Sequence, residues 1–394
     1  PLPTLSPIER MRRRMAFRNQ RCLYRRKCDI SGDLMISQYP QEARFPVIRN
    51  DLWYGDSHDP LQFGQEIDWD RSLMEQLYEL QCKVPRQCVI QQGEVENSQY
   101  THAAANNKNC YLLFSSNQNE DCLYGTGVNE STDVVDSYQV FESELCYECV
   151  DVFRGYEMLW SQNCYDCARG GLLLDCRSCN SCLYCVNLVG KEYHLWNKPV
   201  SKKEFEAEWK RFVELSSAER KIIMEKFRGF AEDFPRRQFI GKQTEDCMGD
   251  YLMEAKGAYG CFECQQVEDC RYCNNVYKAK DCMDVTYFGK NIELCYDTQA
   301  PGLEAFNIKF CNLVHSGVSD LIYCDFCFSI QDCALCVGLK QAKYCIFNKR
   351  YTEEEYKKLL PRIIEKLETE GQWGEFFPTK LCTYGYNETV GNDY

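Results

Sequence analysis

The stretch VNESTDVVDSYQVFESELCYECVDV, residues 128–152, decides the fold because valine or cysteine returns at every sixth position. The same register extends over residues 110–188, where every sixth residue is cysteine or aliphatic except Ser116 and Gly170. An α-helix has 3.6 residues per turn and cannot produce a period of six. A short strand plus a corner, repeated at a fixed interval, does produce it, so the pattern predicts a β-solenoid with a hexad period whose period-six side chains point inward.

A second copy of this module follows at an offset of 151 residues, which aligns Tyr193 with Tyr344 and Glu204 with Glu355. The sequence therefore predicts a mainly β fold: a tandemly duplicated, cysteine-rich β-solenoid with amphipathic helices closing each copy. The Asn197-Lys198 and Asn348-Lys349 pairs precede the helix of each copy and predict matched turns. The predicted domains are an N-terminal basic helix, ribbon and second helix (1–96), a first β-solenoid (97–190), a helical closing segment (191–244), a second β-solenoid (245–346), and a C-terminal helix and tail (347–394).

Capping residues place the helices. Ser6 and Pro7 predict the start of a helix that runs through the arginine-rich segment to Lys27, and Asp70 predicts the cap of a second helix ending at Lys83. Capping boxes at Ser201/Glu204 and Ser216/Glu219 predict two helices after the first solenoid.

The composition limits the class of protein. With 44% apolar and 13% aromatic residues the 394-residue chain is predicted to fold, and no apolar run is long enough to cross a bilayer. The 28 cysteines occur in a large chain with no visible export signal. We therefore expect reduced thiols in a cytoplasmic protein with no membrane partner.

The cysteines are candidates for metal chemistry. CxxC pairs supply two thiolates to one ion, and the chain has only four histidines, so a zinc site would be built from cysteines alone. Three alternatives stay open: packed thiols, zinc, and an iron–sulfur cluster. Ile330, which replaces the counterpart of Cys179, favours packing because cysteine also behaves as a small apolar side chain. The candidate ligands are Cys176, Cys179, Cys182 and Cys185 in the first copy and Cys324, Cys327, Cys333 and Cys336 in the second.

Charge is distributed unevenly along the chain. The net charge is −13, but the first 27 residues carry nine basic residues against Glu9 alone, which leaves about −21 for the rest. This asymmetry predicts that the N-terminal segment binds RNA, another polyanion or an acidic protein partner. The alternative is that the segment folds back onto the acidic surface of its own chain. The candidate polyanion-binding residues are Arg10, Arg12, Arg13, Arg14, Arg18, Arg21, Arg25 and Arg26.

Several strings give a resemblance that covers essentially the whole chain: RMRRRMAFRNQRCLYRRKC, ENSQYTHAAANNKNCYL, SELCYEC, YCIFNKRYTEEEY, and GQWGEFFP with YNETV. They resemble a large uncharacterised cysteine-rich protein family of the candidate phyla radiation (Patescibacteria) bacteria. The resemblance implies zinc-binding modules at the ends of relatives. Here Ser6 stands where a ligand cysteine of such a module would be expected, as in an internal piece of a longer protein. It implies no activity.

The predicted function is that of a non-enzymatic structural or interaction protein, with zinc binding as an open alternative. The second hypothesis is an iron–sulfur or thiol redox protein that uses clustered CxxC thiolates. A nucleophilic cysteine paired with His102 or His315 is a third and weaker hypothesis. Tyrosine and phenylalanine residues in the repeat predict external aromatic stacks or contacts with the packed helices, and an aromatic face that binds carbohydrate or bases is the alternative.

Overall fold

The structure is a computed structural model, and it describes residues 3–19, 21–55, 58–274, 283, 297–299, 302 and 305–393. In these residues the chain is mostly β with some helices. It divides into two compact units. We call Val89–Arg237 the central unit, and Pro1–Cys88 together with Gln238–Tyr394 the flanking unit.

The N-terminal part of the flanking unit contains short elements: α1 (Pro7–Met15), β1 (Tyr24–Lys27), β2 (Leu34–Ser37), β3 (Val47–Ile48), α2 (Asn50–Tyr54), α3 (Leu73–Lys83) and β4 (Arg86–Gln87). The capping box of Ser6 and Glu9 is confirmed. The predicted helix as far as Lys27 is wrong, because α1 ends at Met15. The Asn19 side chain then accepts hydrogen bonds from the backbone of Arg21 and Cys22, and the chain turns into a strand.

Of two other local predictions, the one for the β1–β2 ribbon is confirmed and the one for the start of α3 is wrong. The ribbon predicted within residues 1–96 is confirmed: β1 and β2 pair antiparallel, and Gly32 between them has a φ of 76°. The predicted cap at Asp70 is wrong because Ser72 precedes α3, which ends at Lys83 as predicted.

The central unit holds short parallel strands followed by a terminal hairpin and two helices. The elements are β5 (Gln91–Glu96), β6 (Ala104–Lys108), β7 (Tyr111–Phe114), β8 (Leu123–Asn129), β9 (Thr132–Val135), β10 (Tyr138–Phe141), β11 (Glu144–Tyr147), β12 (Val150–Phe153), β13 (Tyr156–Leu159), β14 (Gln162–Tyr165), β15 (Ala168–Leu174), β16 (Asn180–Val186), β17 (Glu192–Leu195), β18 (Lys198–Pro199), α4 (Lys202–Val213) and α5 (Ser217–Glu232).

The predicted duplicated β-solenoid is wrong as a description of this sheet. Strands β8, β10, β12, β14, β15, β13, β11 and β9 pair in that order, and β9 pairs again with β8, so the hydrogen-bonded ring closes. The closure depends on two longer strands, β8 and β15. Strand β8 joins β10 to β9, and strand β15 joins β14 to β13. The result is a closed parallel β-barrel of eight strands with extra strands.

The period of six has a different origin from the one predicted. Paired strands lie twelve residues apart, as in Val134 opposite Cys146 and Val140 opposite Val152. Each step of six residues therefore crosses to the opposite wall of the barrel. The inward orientation itself is confirmed, since Val134, Val140, Val152 and Cys146 are all at most 1% exposed.

Every third residue of the barrel adopts a left-handed backbone conformation. Asp133, Asp136, Gln139, Glu142 and Leu145 have φ values from 48° to 55°, and the series continues along the sheet. An L-residue disfavours this region, most strongly when its side chain is β-branched. The inward residue then falls between two such corners. This explains why side chains of one type recur at intervals of three and six residues.

These corners give a prediction with a matched control. We expect Glu142→Val to destabilise the central unit by about 1 kcal/mol, because valine resists the left-handed conformation that residue 142 requires. Glu144→Val removes the same charge from an exposed position that is absent from the left-handed series. Chemical denaturation of both variants is the measurement. Equal losses of unfolding free energy would show that the corner conformation does not matter.

The second part of the flanking unit contains β19 (Gly241–Glu245), β20 (Met248–Lys256), β21 (Tyr259–Gln265), β22 (Ala305–Lys309), β23 (Val318–Ile322), β24 (Gln331–Ala334), β25 (Lys343–Ile346), β26 (Lys349–Arg350) and α6 (Glu353–Thr369). The described strands form parallel sheets of β19–β21 and β22–β25, with β26 antiparallel at the end. Residues 275–282 of the predicted second β-solenoid (245–346) lie outside the described residues.

The predicted matched turns are confirmed. Asn197 and Asn348 both have a φ of 60°, and each side chain bonds both backbone groups of one residue in the preceding repeat. Asn197 accepts from the Val186 amide at 2.8 Å and donates to its carbonyl at 2.9 Å. Asn348 makes the same two bonds to Val337 at 2.8 and 2.7 Å. Capping boxes at Ser201 and Thr352 then start α4 and α6.

Candidate functional site

The four candidate thiols of the central unit are interior packing groups. Cys176, Cys179, Cys182 and Cys185 are at most 1% exposed and belong to one apolar core. Each thiol donates to the carbonyl oxygen two residues earlier, at distances of 3.5, 3.3, 3.4 and 3.1 Å respectively. The backbone of the repeat thus supplies an acceptor for every one of them.

The four candidates in the flanking unit have the same environment. Cys324, Cys327, Cys333 and Cys336 are fully buried. They donate to carbonyl oxygens two residues earlier at 3.7, 3.4, 3.1 and 3.2 Å. The thiols of the two units are therefore used in the same way.

Neighbouring thiols do come together along the interior. The Cys179 thiol lies among those of Cys167, Cys176 and Cys182. Two effects raise the pKa of Cys176 well above the usual range: first its hydrogen bond with Cys179, and second its burial. The Cys176 thiol therefore stays protonated. Among the described residues, no group of three or more His, Cys, Asp or Glu side chains is arranged to hold a metal ion. Zinc and an iron–sulfur cluster stay predictions.

The arginine segment is largely built into the flanking unit. Arg14 is fully buried and forms an ion pair with Asp297, whose second oxygen accepts from the Phe376 amide at 3.1 Å. Arg13 donates to the Phe377 carbonyl at 2.8 Å. These contacts fasten α1 to the C-terminal tail.

Two further arginines are also committed to internal contacts. Arg10 is 3% exposed and donates to the Leu5 carbonyl at 2.7 Å. Arg26 is 2% exposed and pairs with Asp29 at 2.7 Å. Their charges serve the fold and are not presented to solvent.

The other candidate arginines differ in exposure. Arg12, Arg21 and Arg25 are exposed, while Arg18 is half-buried. Arg18 and Arg21 lie outside a helix, contrary to the helix predicted as far as Lys27, because α1 ends at Met15. Polyanion binding stays a prediction for the exposed side chains.

His315 is placed against an aromatic ring. Its ring stacks on that of Phe328, with the ring centroids 5.5 Å apart and 15° between the planes. Burial, and then the charge of Arg18, lowers the pKa of His315 from 6.5 to about 4.

This pKa predicts a pH dependence of stability. The folded state binds a proton on His315 less tightly than the unfolded state, so stability is lost as the pH falls from about 6.5 through about 4. We expect a loss of about 2 kcal/mol from this group. Urea unfolding at pH 7 and pH 4.5 measures it, with His315→Gln as the matched variant. If both proteins lose the same free energy, His315 is not the cause.

A row of outward apolar residues runs along the central unit, one per twelve-residue repeat. Ladder pairing places them in order: Tyr111, Leu123, Val135, Tyr147, Leu159, Gly171, Leu183 and Leu195. The residues that follow them form a second row, namely Leu112, Tyr124, Asp136, Glu148, Trp160, Leu172, Tyr184 and Trp196. We call the two rows together the apolar ladder.

Helices α4 and α5 cover one half of the apolar ladder. Residues from Leu159 to Trp196 pack with Phe205, Trp209, Phe212 and Phe227 in one apolar core. Gly171 is required at the closest approach, because a Cβ atom there would lie 2.2 Å from the Phe212 ring.

The other half of the apolar ladder, from Tyr111 to Glu148, is open. Tyr111 and Tyr124 are 39% and 49% exposed, and Leu112, Leu123, Val135 and Tyr147 are half-buried. We call this half the open ladder. The sequence analysis missed it, although apolar residues at every twelfth position from Tyr111 to Leu159 were a usable signal.

The predicted external aromatic stacks are confirmed on another part of the central unit. Phe141 and Phe153 stack at 4.7 Å, and Phe153 and Tyr165 at 5.2 Å, with 6° between the planes in both cases. The three residues are twelve positions apart, so the stack follows the repeat directly.

Comparison with known proteins adds little. No protein-family model matches the chain, and no curated protein matches it. One similar solved structure is described provisionally as that of an acetyltransferase from Desulfovibrio desulfuricans G20, at 10% identity and a TM-score of 0.11. The match covers 72% of this chain and 80% of that one. None of the described helices has both the length and the apolar character needed to span a membrane.

Proposed function

We propose that the chain is a non-enzymatic interaction protein whose docking surface is the open ladder. One observation carries the proposal: a continuous outward apolar row is covered by the protein's own helices over one half and is accessible over the other. Exposed contiguous apolar surface of this kind marks interaction sites in soluble proteins. The cysteine-rich interior is, on this proposal, a packing device that keeps the outer rows in register.

The rigidity of the platform follows from the interior. Side chains at every third position are buried, and the cores of thiols and aliphatic groups run through each unit. Close packing of this type fixes the positions of the outward residues in the neighbouring corners. A docking surface on such a scaffold needs little reorganisation on binding, which lowers the entropic cost of association.

The experiment uses Tyr111→Ser/Tyr124→Ser, with Tyr156→Ser as the control. Tyr156 is 46% exposed and lies in a different outward row, opposite Glu144 and Ala168. We expect the double variant to keep its unfolding free energy within about 1 kcal/mol and to lose binding of the apolar dye bis-ANS by the folded protein. The control should retain dye binding.

Two results would overturn the proposal. A loss of more than about 3 kcal/mol in the double variant would make the two tyrosines part of the core and not a spare surface. Unchanged dye binding would show that the accessible apolar surface lies elsewhere.

A further inference from the structure

The way in which α4 covers the apolar ladder indicates what fits the open half. The ring centroids of Phe205 and Tyr193 lie 5.9 Å apart, and those of Phe212 and Trp160 lie 5.4 Å apart. The helix therefore runs along the ladder, across the strands. Strand spacing of about 4.8 Å is close to the helical pitch of 5.4 Å, so successive helical turns meet successive repeats.

Charge separates the open half from the covered half. Where α4 and α5 pack, the second row is entirely apolar: Trp160, Leu172, Tyr184 and Trp196. In the open ladder the same row places two exposed acids, Asp136 and Glu148, one repeat apart, between apolar neighbours. An occupant must satisfy both the apolar surface and these two carboxylates.

Helix α5 shows how basic side chains meet this row. The Arg220 guanidinium lies 4.5 Å from the Trp160 ring centroid, and the Lys226 ammonium lies 4.5 Å from that of Trp196. Arg220 also acts electrostatically on Tyr147, which lies in the last repeat of the open ladder. Basic groups of α5 therefore already face the second row, and Arg220 does so where the open half begins.

We infer that the open ladder binds an amphipathic helix of a partner protein, with a basic edge. This rests on the proposed function and adds the class of partner. Three steps from Tyr111 to Tyr147 span about 15 Å, the length of a helix of about ten residues. Its apolar residues would recur at i, i+3, i+4 and i+7, and an arginine or lysine pair three or four positions apart would face Asp136 and Glu148.

The test uses two helix-stapled, fluorescein-labelled peptides of 16 residues as probes. Both carry leucines at i, i+3, i+4 and i+7, and they differ only in an edge of arginine and lysine or an edge of glutamate. Anisotropy titrations at low and moderate salt measure their affinities for the full chain. We expect the basic peptide to bind at least tenfold more tightly than the acidic one, with the difference shrinking as salt rises.

Variants separate the two parts of the inference. Tyr111→Ser/Tyr124→Ser should weaken the basic peptide at least tenfold, whereas Asp136→Asn/Glu148→Gln should remove most of the preference for the basic edge. Tyr156→Ser serves again as the control and should bind normally. Equal binding of both peptides, no binding of either, or equal loss in the control would overturn the inference. Because the dye experiment does not use a peptide, it can succeed when the helix partner fails.

Discussion

Replacing Cys146 with aspartate should unfold the central unit, while the same replacement at the adjacent Leu145 should leave it folded. Cys146 is 1% exposed and points into the barrel, whereas Leu145 is 40% exposed and sits at a left-handed corner. An aspartate at position 146 must bury an unpaired charge or a protonated acid among apolar groups, at a cost of several kcal/mol. Aspartate tolerates the left-handed region, so residue 145 accepts it.

The measurement is thermal and chemical denaturation of both variants beside the parent. A loss of at least about 4 kcal/mol is expected for Cys146→Asp and less than about 1 kcal/mol for Leu145→Asp. A native-like, equally stable Cys146→Asp protein would contradict the inward orientation of the period-six side chains.

Arg14→Met should destabilise the flanking unit by about 3–5 kcal/mol, because it breaks a fully buried ion pair with Asp297. Arg12→Met provides the matched control on the same helix, since Arg12 is exposed. We expect less than about 0.5 kcal/mol from that change.

A second change identifies the cause of the Arg14 effect. Asp297→Asn added to Arg14→Met removes the buried carboxylate charge that Arg14 balances but keeps an oxygen for the Phe376 amide, so part of the stability should return. If Arg14→Met and Arg12→Met both lower the unfolding free energy by the same small amount, the ion pair does not hold α1. Arg14 would then again be a candidate polyanion-binding residue.

The sequence predicted the interior of the barrel well and its sheet poorly. Inward positions such as Val134 and Cys146 follow from the period of six, which can be read directly from the order of residues. Ring closure depends on which backbones pair, for example Leu123 with Val135, and a period of six does not distinguish a neighbour six residues away from one twelve away. The capping boxes and the Asn197 and Asn348 turns were predictable because their partners are close in sequence.

The candidate sites were harder to predict for a related reason. Whether Arg14 meets solvent or a carboxylate is decided by Asp297, far along the chain. Paired CxxC motifs at Cys176 and Cys182 suggest a metal centre, and the motifs alone do not show that each buried thiol has a carbonyl acceptor two residues earlier in the chain. The open ladder was missed because its residues are scattered at intervals of twelve.

The central claim is that the cysteines are interior packing groups, and a thiol titration during unfolding, with a zinc indicator present, tests it most directly. In the native state the partly exposed Cys22, Cys82, Cys247 and Cys382 should react first among the described cysteines, and the buried ones should react only as the protein unfolds. The account predicts at least 26 free thiols in denaturant, with no stoichiometric release of zinc. Fewer thiols, or one or more equivalents of zinc released with the buried cysteines, would contradict it.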